Sequence, residues 1–256
     1  MQAEVTGKYL KRISKAINAN DTKWLDKLLK NMHPADIAGI LNELDLADGK
    51  KLYNHLPEKI AADSLFEMEE DKRERFLASL TSEQIADQID HLPSDEATDV
   101  VAELSDQQQD EVLRHLQEDD ASQASDIVDL LKYEEGTAGS LMAKELVRVN
   151  VNQTVMECVR EMRRQAQKVE NVYAVYAVDD NDKFLGILTL PKLLTTPLRT
   201  KIIEAFEPNA ISVRTDTPSE AVANIMKKYD LVVLPVIDTL GRLVGRITVD
   251  DVMDVV

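Results

Sequence analysis

Between Asn31 and Lys132 apolar residues recur at helical spacing in a unit of roughly 23 to 27 residues. Each unit opens on an apolar pair, Ile37-Ala38, Ile60-Ala61, Ile85-Ala86 or Val112-Leu113, and closes on a Leu-rich turn. Pro34, Pro57 and Pro93 follow the breaks, where a first-turn proline loses no helical hydrogen bond. The pattern predicts short helix pairs, each burying its apolar stripe against the next, in a small right-angle superhelix with long polar faces.

Near Glu134 the period changes. EEGTAGSLM introduces two glycines, and strand and helix signals alternate beyond it. Thr154, Glu157 and Val159 match Thr217, Glu220 and Val222 at an offset of 63; VYAVDDNDKFLGILTLPKLL then matches LPVIDTLGRLVGRITVDDVM at an offset of 59. The lost four residues place an insertion in the first copy, in or near QAQKVEN. Each copy reads strand, helix, strand, turn, strand, helix, and two copies are expected to pack as a pseudo-twofold pair. The chain is thus multidomain: an all-α superhelical N-terminal domain over 1–132, a linker over 133–139, and two α/β copies over 140–200 and 201–256.

Composition narrows the function. The 256 residues are 44% hydrophobic, enough for real cores, and no apolar run approaches membrane-span length. No signal-peptide order opens the chain and Cys158 stands alone, so a soluble chain in a reducing, cytosolic compartment is expected. The net charge of −17 is uneven: 31 acids and 15 bases over residues 1–140, 16 and 15 beyond. From Phe76 to Glu135 there are 17 acids and two bases, which argues against nucleic acid and for a cation. Asp95 and Asp99 stack one helical turn apart. At about 6 Å they repel by ~0.7 kcal/mol in water and ~3 kcal/mol at an effective dielectric of 20. A second acidic surface brought against them would need a divalent ion in between, and Mg²⁺ takes oxygen ligands of this kind. The plainer alternative is a solvated helix face.

The order LPV-x-D-x-x-G-x-L-x-G-x-x-T-x-x-D, from Leu234 to Asp251, resembles a cystathionine β-synthase (CBS) domain, and the tandem resembles a Bateman module. That resemblance implies regulatory units that bind ATP or another adenine nucleotide and form a homodimer through their helices. Gly245 would permit close backbone approach, the Thr248 hydroxyl at a helix start would suit phosphate, and Asp251 would suit ribose hydroxyls. An alternative is that Thr248 and Asp251 merely cap a helix. The first copy keeps Thr189 but has Pro191 and Lys192 for Asp250 and Asp251, so at most one nucleotide site is intact.

The whole order, HPAD (33–36), LPSDEATDVV, TAGSLM, then YDLVVLPV and TVDDVMDV, is similar to the cytosolic region of MgtE-type magnesium transporters and channels. The resemblance implies a transmembrane pore domain after the second copy, so the chain reads as a truncated piece at the cytoplasmic face of a membrane, or a homologue without its pore. It also implies Mg²⁺ bound between acids of the two halves: Asp63, Asp95 and Asp99 on one side, Asp230, Asp250 and Asp251 on the other, with Glu220 and Asp254 weaker candidates. Bound ions would then close the domains and gate the pore.

His33, His55, His91 and His115 lie at repeat boundaries and read as helix-end residues; Cys158 reads as packing; Tyr173 and Tyr176 read as strand residues. No zinc spacing, Walker loop or Ser-His-Asp set occurs, so no enzyme is expected. Two other readings compete: a nucleotide-responsive CBS module of another protein, and an acidic helical adaptor for a basic partner.

Overall fold

The structure, a computed structural model, describes residues 7–166, 169 and 171–253. The chain divides into two compact units: residues up to Leu92 with Glu96–Ser125, and Pro93–Asp95 with the residues from Asp126 onward.

The first unit is helical throughout its described elements: α1 (Gly7–Asn18), α2 (Thr22–Leu29), α3 (Pro34–Glu43), α4 (Leu46–Tyr53), α5 (Glu58–Phe66), α6 (Glu70–Leu77), α7 (Ser82–Ile89), most of α8 (Ser94–Ala102), α9 (Asp106–Asp119) and the start of α10 (Ala121–Leu130). The repeated apolar pairs fall on α3, α5, α7 and α9. These pack in series, α3 on α5, α5 on α7 and α7 on α9, burying Ile37, Ala38, Ala61, Ile85, Ala86 and Val112. One helix of every pair therefore forms the stack, as expected of repeats that cannot bury their stripes alone.

Local chemistry sets the helix ends. Pro34 is in the first turn of α3, whereas Pro57 occupies the cap position of α5 and Pro93 precedes α8. His33 caps α3, its Nδ1 accepting from Ala35 N–H at 3.3 Å, and His91 pairs with Glu58 at 3.3 Å. Thr81 and Gln84 close a reciprocal capping box on α7. Arg73 of α6 donates to the Glu103 carboxylate and to Phe66 O, an ion pair with only 12% and 15% of its side chains exposed.

The second unit holds two sheets. The first is ordered β1-β2-β3-β4, from β1 (Val147–Asn150), β2 (Ala174–Val178), β3 (Phe184–Thr189) and β4 (Glu207–Pro208); the second is β5-β6-β7, from β5 (Val213–Arg214), β6 (Val233–Ile237) and β7 (Leu243–Thr248). The parallel pairs β1–β2 and β5–β6 are bridged by α12 (Val155–Gln165) and α14 (Ser219–Tyr229), as parallel pairing requires. α13 (Leu190–Thr195) follows β3. A Thr154–Glu157 capping box starts α12, and Cys158 inside it is fully buried. The inserted stretch QAQKVEN lies partly outside the described residues.

The two copies are related as a pseudo-twofold pair. Each antiparallel hairpin carries a bulge at the same place, after Ala177 and after Val236, 59 residues apart. Asp179 and Asp238 each accept two backbone N–H bonds across their turns. The turns then pair with each other: Phe184 N–H donates to Gly241 O at 2.9 Å and Leu243 N–H to Asp182 O at 3.0 Å, with Lys183 opposite Arg242. Tyr176, Val178 and Leu243 are buried beside this seam.

Leading segments are exchanged between the copies. α11 (Ala138–Leu141) and the residues after it run onto the second copy, where Ala143 and Arg246 exchange backbone bonds at 2.9 Å. Glu207–Pro208 run onto β3 of the first copy. Each crossing segment lies on a matched glycine: a Cβ on Gly186 would be 2.1 Å from Glu207 O, and one on Gly245 would be 2.6 Å from Met142 Sδ.

Candidate metal and nucleotide sites

Ser94 is fully buried at the start of α8, and the Glu145 carboxylate seals that end. Glu145 Oε1 accepts from Ser94 N–H at 3.1 Å and Oε2 from Ser94 Oγ at 2.9 Å, while Lys144 N–H donates to Ser94 Oγ at 2.8 Å. A carboxylate at a helix N-terminus is favoured by the unpaired N–H groups there. The helix so anchored carries the two stacked acids: Asp95 is half-buried one residue on, and Asp99 is exposed a turn later. Asp63 is half-buried on α5. Crowding of acids is felt nearby: burial pushes the Asp90 carboxyl up, and Asp120, Asp119 and Asp87 push it further, against His91.

In the second unit the anticipated acids surround the ends of α14 and β7. Glu220 is exposed in the first turn of α14. Asp230 ends that helix in the left-handed region, φ 52°, its N–H donating to Met226 O. Asp250 is exposed; Asp251 is half-buried, its Oδ2 accepting from Thr248 N–H at 2.6 Å. Burial raises the Asp251 pKa most, Thr248 hydrogen bonds oppose this, Asp250 adds to it and the Arg246 guanidinium opposes it. Asp254 lies outside the described residues.

Thr248 and Asp251 thus engage each other in the manner of a cap, followed by turn residues. The close approach at Gly245 is made by Met142 and Ala143 of the same chain. In the first copy Thr189 Oγ1 accepts from Lys192 N–H at 3.4 Å, an ordinary cap. Tyr176 is buried in β2, while Tyr173 lies just before that strand and is 40% exposed. Burial lifts the Cys158 thiol to about 11, out of the nucleophilic range.

Every anticipated metal residue is a carboxylate, the hard oxygen donor that suits Mg²⁺. Among the described residues no three His, Cys, Asp or Glu side chains gather into a metal cluster within reach of one ion. Sequence reading missed Ser94, Glu145 and Arg246. Arg246 is 9% exposed and donates through Nε to Glu145 O at 2.6 Å, so it joins β7 to the segment that seals α8. No sequence signal pairs residues 101 positions apart.

The fold defines the class of chain: a helical repeat stack followed in sequence by a tandem pair of α/β copies. The MgtE intracellular N domain matches residues 32–136, and the CBS domain matches 138–198 and 203–256. The magnesium transporter MgtE of Thermus thermophilus is 33% identical over 243 residues, covering 95% of this chain and 54% of the relative. Among solved structures, the soluble part of a magnesium transporter aligns with TM-score 0.83 and 30% identity, covering 96% of both chains. The cytosolic domain of the Mg²⁺ channel MgtE in complex with ATP aligns with TM-score 0.81 and 31% identity, covering 96% of this chain and all of that one. The chain belongs to the MgtE family and corresponds to its soluble cytosolic part. It spans about half the length of the curated relatives it matches. No helix among the described residues is long and apolar enough to cross a membrane.

Proposed function

We propose that this chain is the Mg²⁺-sensing region of a magnesium transporter or channel, at the cytoplasmic face of the membrane, and not an enzyme. In this reading the helical domain (1–132) and the CBS copies (140–200 and 201–256), joined by the linker 133–139, precede a transmembrane pore and dimerise through the CBS pair. Mg²⁺ is bridged between Asp63, Asp95 and Asp99 of the helical domain and Asp230, Asp250 and Asp251 of the CBS pair, with Glu220 and Asp254 contributing. Low Mg²⁺ leaves the acidic surfaces to repel. High Mg²⁺ draws them together and closes the pore.

The observation that carries this reading is the acidic stretch from Phe76 to Glu135, with 17 acids and two bases, in which Asp99 is exposed and Asp95 lies on a helix whose start is locked by Glu145, together with the exposed Asp230 and Asp250 of the second unit. Weak sites suffice, because several ions favouring one state shift the population together. Small-angle scattering with and without millimolar Mg²⁺ tests it: the radius of gyration falls in the parent chain and stays constant when Asp95 and Asp99 are changed to Asn. An unchanged radius in the parent chain overturns the proposal.

A second ligand is an adenine nucleotide, held by Thr248 and Asp251 of the second copy. It is favoured by the relative solved in complex with ATP. Titration of ATP onto the parent chain and Asp251→Asn distinguishes the ligands, since loss of ATP binding with retained compaction assigns Asp251 to the nucleotide.

A further inference from the structure

Residues 7–30 precede the stretch matched to the MgtE N domain and carry seven Lys or Arg against two Asp, nearly half of all bases in the first 140 residues. Lys8, Lys11, Arg12 and Lys15 of α1 recur at i, i+3, i+4 and i+7, and Lys23, Lys27 and Lys30 of α2 and its cap at i, i+4 and i+7. Each set is therefore one stripe along its helix. The opposite stripes are buried, through Ile13, Ala16 and Ile17 in α1 and Leu25 and Leu29 in α2. All seven bases are exposed. The Arg12 guanidinium lies 4.9 Å from the centroid of the half-buried Trp24 ring, which joins the two stripes. Of the two acids, Asp21 is engaged as the α2 cap, accepting from Trp24 N–H at 3.2 Å. α1 packs on α2 and α4, so this hairpin caps the helical stack at the end away from α7 and α9.

A solvated face on an acidic protein does not call for bases segregated in this way. We propose that the α1–α2 hairpin is a docking surface for an anionic lipid bilayer. The proposal rests on the reading of the chain as part of a membrane transporter, which keeps it beside a bilayer at high effective concentration. Clustered bases are drawn to anionic headgroups, and an aromatic residue with a polar edge suits the interfacial region. Screening confines the attraction to nearby charges, so the acidic helices at the far end of the stack do not cancel it.

Trp24 is the single tryptophan of the chain and reports directly from the patch. The full chain is mixed with neutral phosphatidylcholine vesicles, or with vesicles containing about 30% phosphatidylglycerol, in EDTA, at about 0.1 M and about 0.5 M salt. Flotation and Trp24 emission are then read. Binding to anionic vesicles alone, with a blue-shifted Trp24 and loss at high salt, is expected. The combined exposed changes Lys11→Glu, Lys15→Glu, Lys23→Glu and Lys27→Glu lower partitioning about a hundredfold or more. Helicity and melting serve as the folding control.

Absence of binding, equal binding to neutral vesicles, or undiminished binding by the variant overturns the proposal. So does binding seen only after adding Mg²⁺, which would make the acidic face the contact. Tighter binding to a DNA duplex or to polyglutamate than to the anionic vesicles at equal charge concentration would reassign the patch to those partners and overturn it as well. Because the assay is run in EDTA, its failure leaves the Mg²⁺ compaction test untouched, and the reverse also holds.

Discussion

The two CBS copies share one backbone plan and differ at the positions where that plan meets its surroundings. Asp182 and Gly241 occupy the same point of the two turns, both left-handed, with φ 59° and 78°. Ile187 of the first copy stands where Arg246 stands in the second, and Pro191-Lys192 where Asp250-Asp251 stand. Both copies keep glycine where the exchanged segment crosses, Gly186 and Gly245. What is held in common is the geometry of the exchange; what differs is polar, and it gathers in the second copy, around the segment that leads to α8.

The largest expected effect tests the exchange itself. Gly186→Ala sets a Cβ against a backbone carbonyl and the Phe206 ring, and is expected to destabilise by about 3 kcal/mol or to prevent folding. Gly245→Ala meets chiefly the flexible Met142 side chain, with Ala143 O at 2.9 Å, and is expected to cost about 1.5 kcal/mol. Urea titration of both reads the difference; equal costs would mean that the two crossings are equally rigid.

Between these two falls Arg246→Leu, which gives the second copy an apolar residue like Ile187. It removes the donor to Glu145 O and a charge that opposes the rise of the Asp251 pKa, at about 2 kcal/mol in the same titration. The turn residues give less. Asp182→Gly is expected to gain about 0.5 kcal/mol, since the exposed Arg148–Asp182 pair at 3.5 Å contributes little, and Gly241→Asp to lose a similar amount.

The smallest effect at neutral pH is that of Asp251→Asn, below about 0.5 kcal/mol, and its signature is pH dependence. Burial raises the folded carboxyl's pKa, so the folded state holds this proton more tightly than the unfolded chain does. The resulting stability is complete below the unfolded pKa and is lost as pH rises through the folded one. Melting followed from about pH 4 to pH 7 should fall less in the variant than in the parent; parallel curves would remove Asp251 from the account.

Much of this was legible in the chain. Ile37, Ile85 and Val112 marked the stacking helices because burial on one helical face imposes its period locally, and the offsets of 63 and 59 marked the CBS copies because the same turns and bulges recur. Of the candidate acids, Asp95 and Asp99 stood out by the segregation of charge between Phe76 and Glu135, and the others were named through a family resemblance. The role of Gly245 was not. A glycine shows that something can approach closely, not that Met142 and Ala143 do so.

The periodicity of apolar residues, the duplicated strand–helix–strand pattern and the uneven charge are properties of neighbouring residues, and the sequence by itself determined them. Only the tertiary structure decided which segment crosses onto which copy, that Glu145 seals the start of α8, that Arg246 holds Glu145 from β7, and that the bases of α1 and α2 form one surface. Each of these joins groups of different elements. Such contacts depend on how packed elements meet in space, and local propensity carries no information about that meeting.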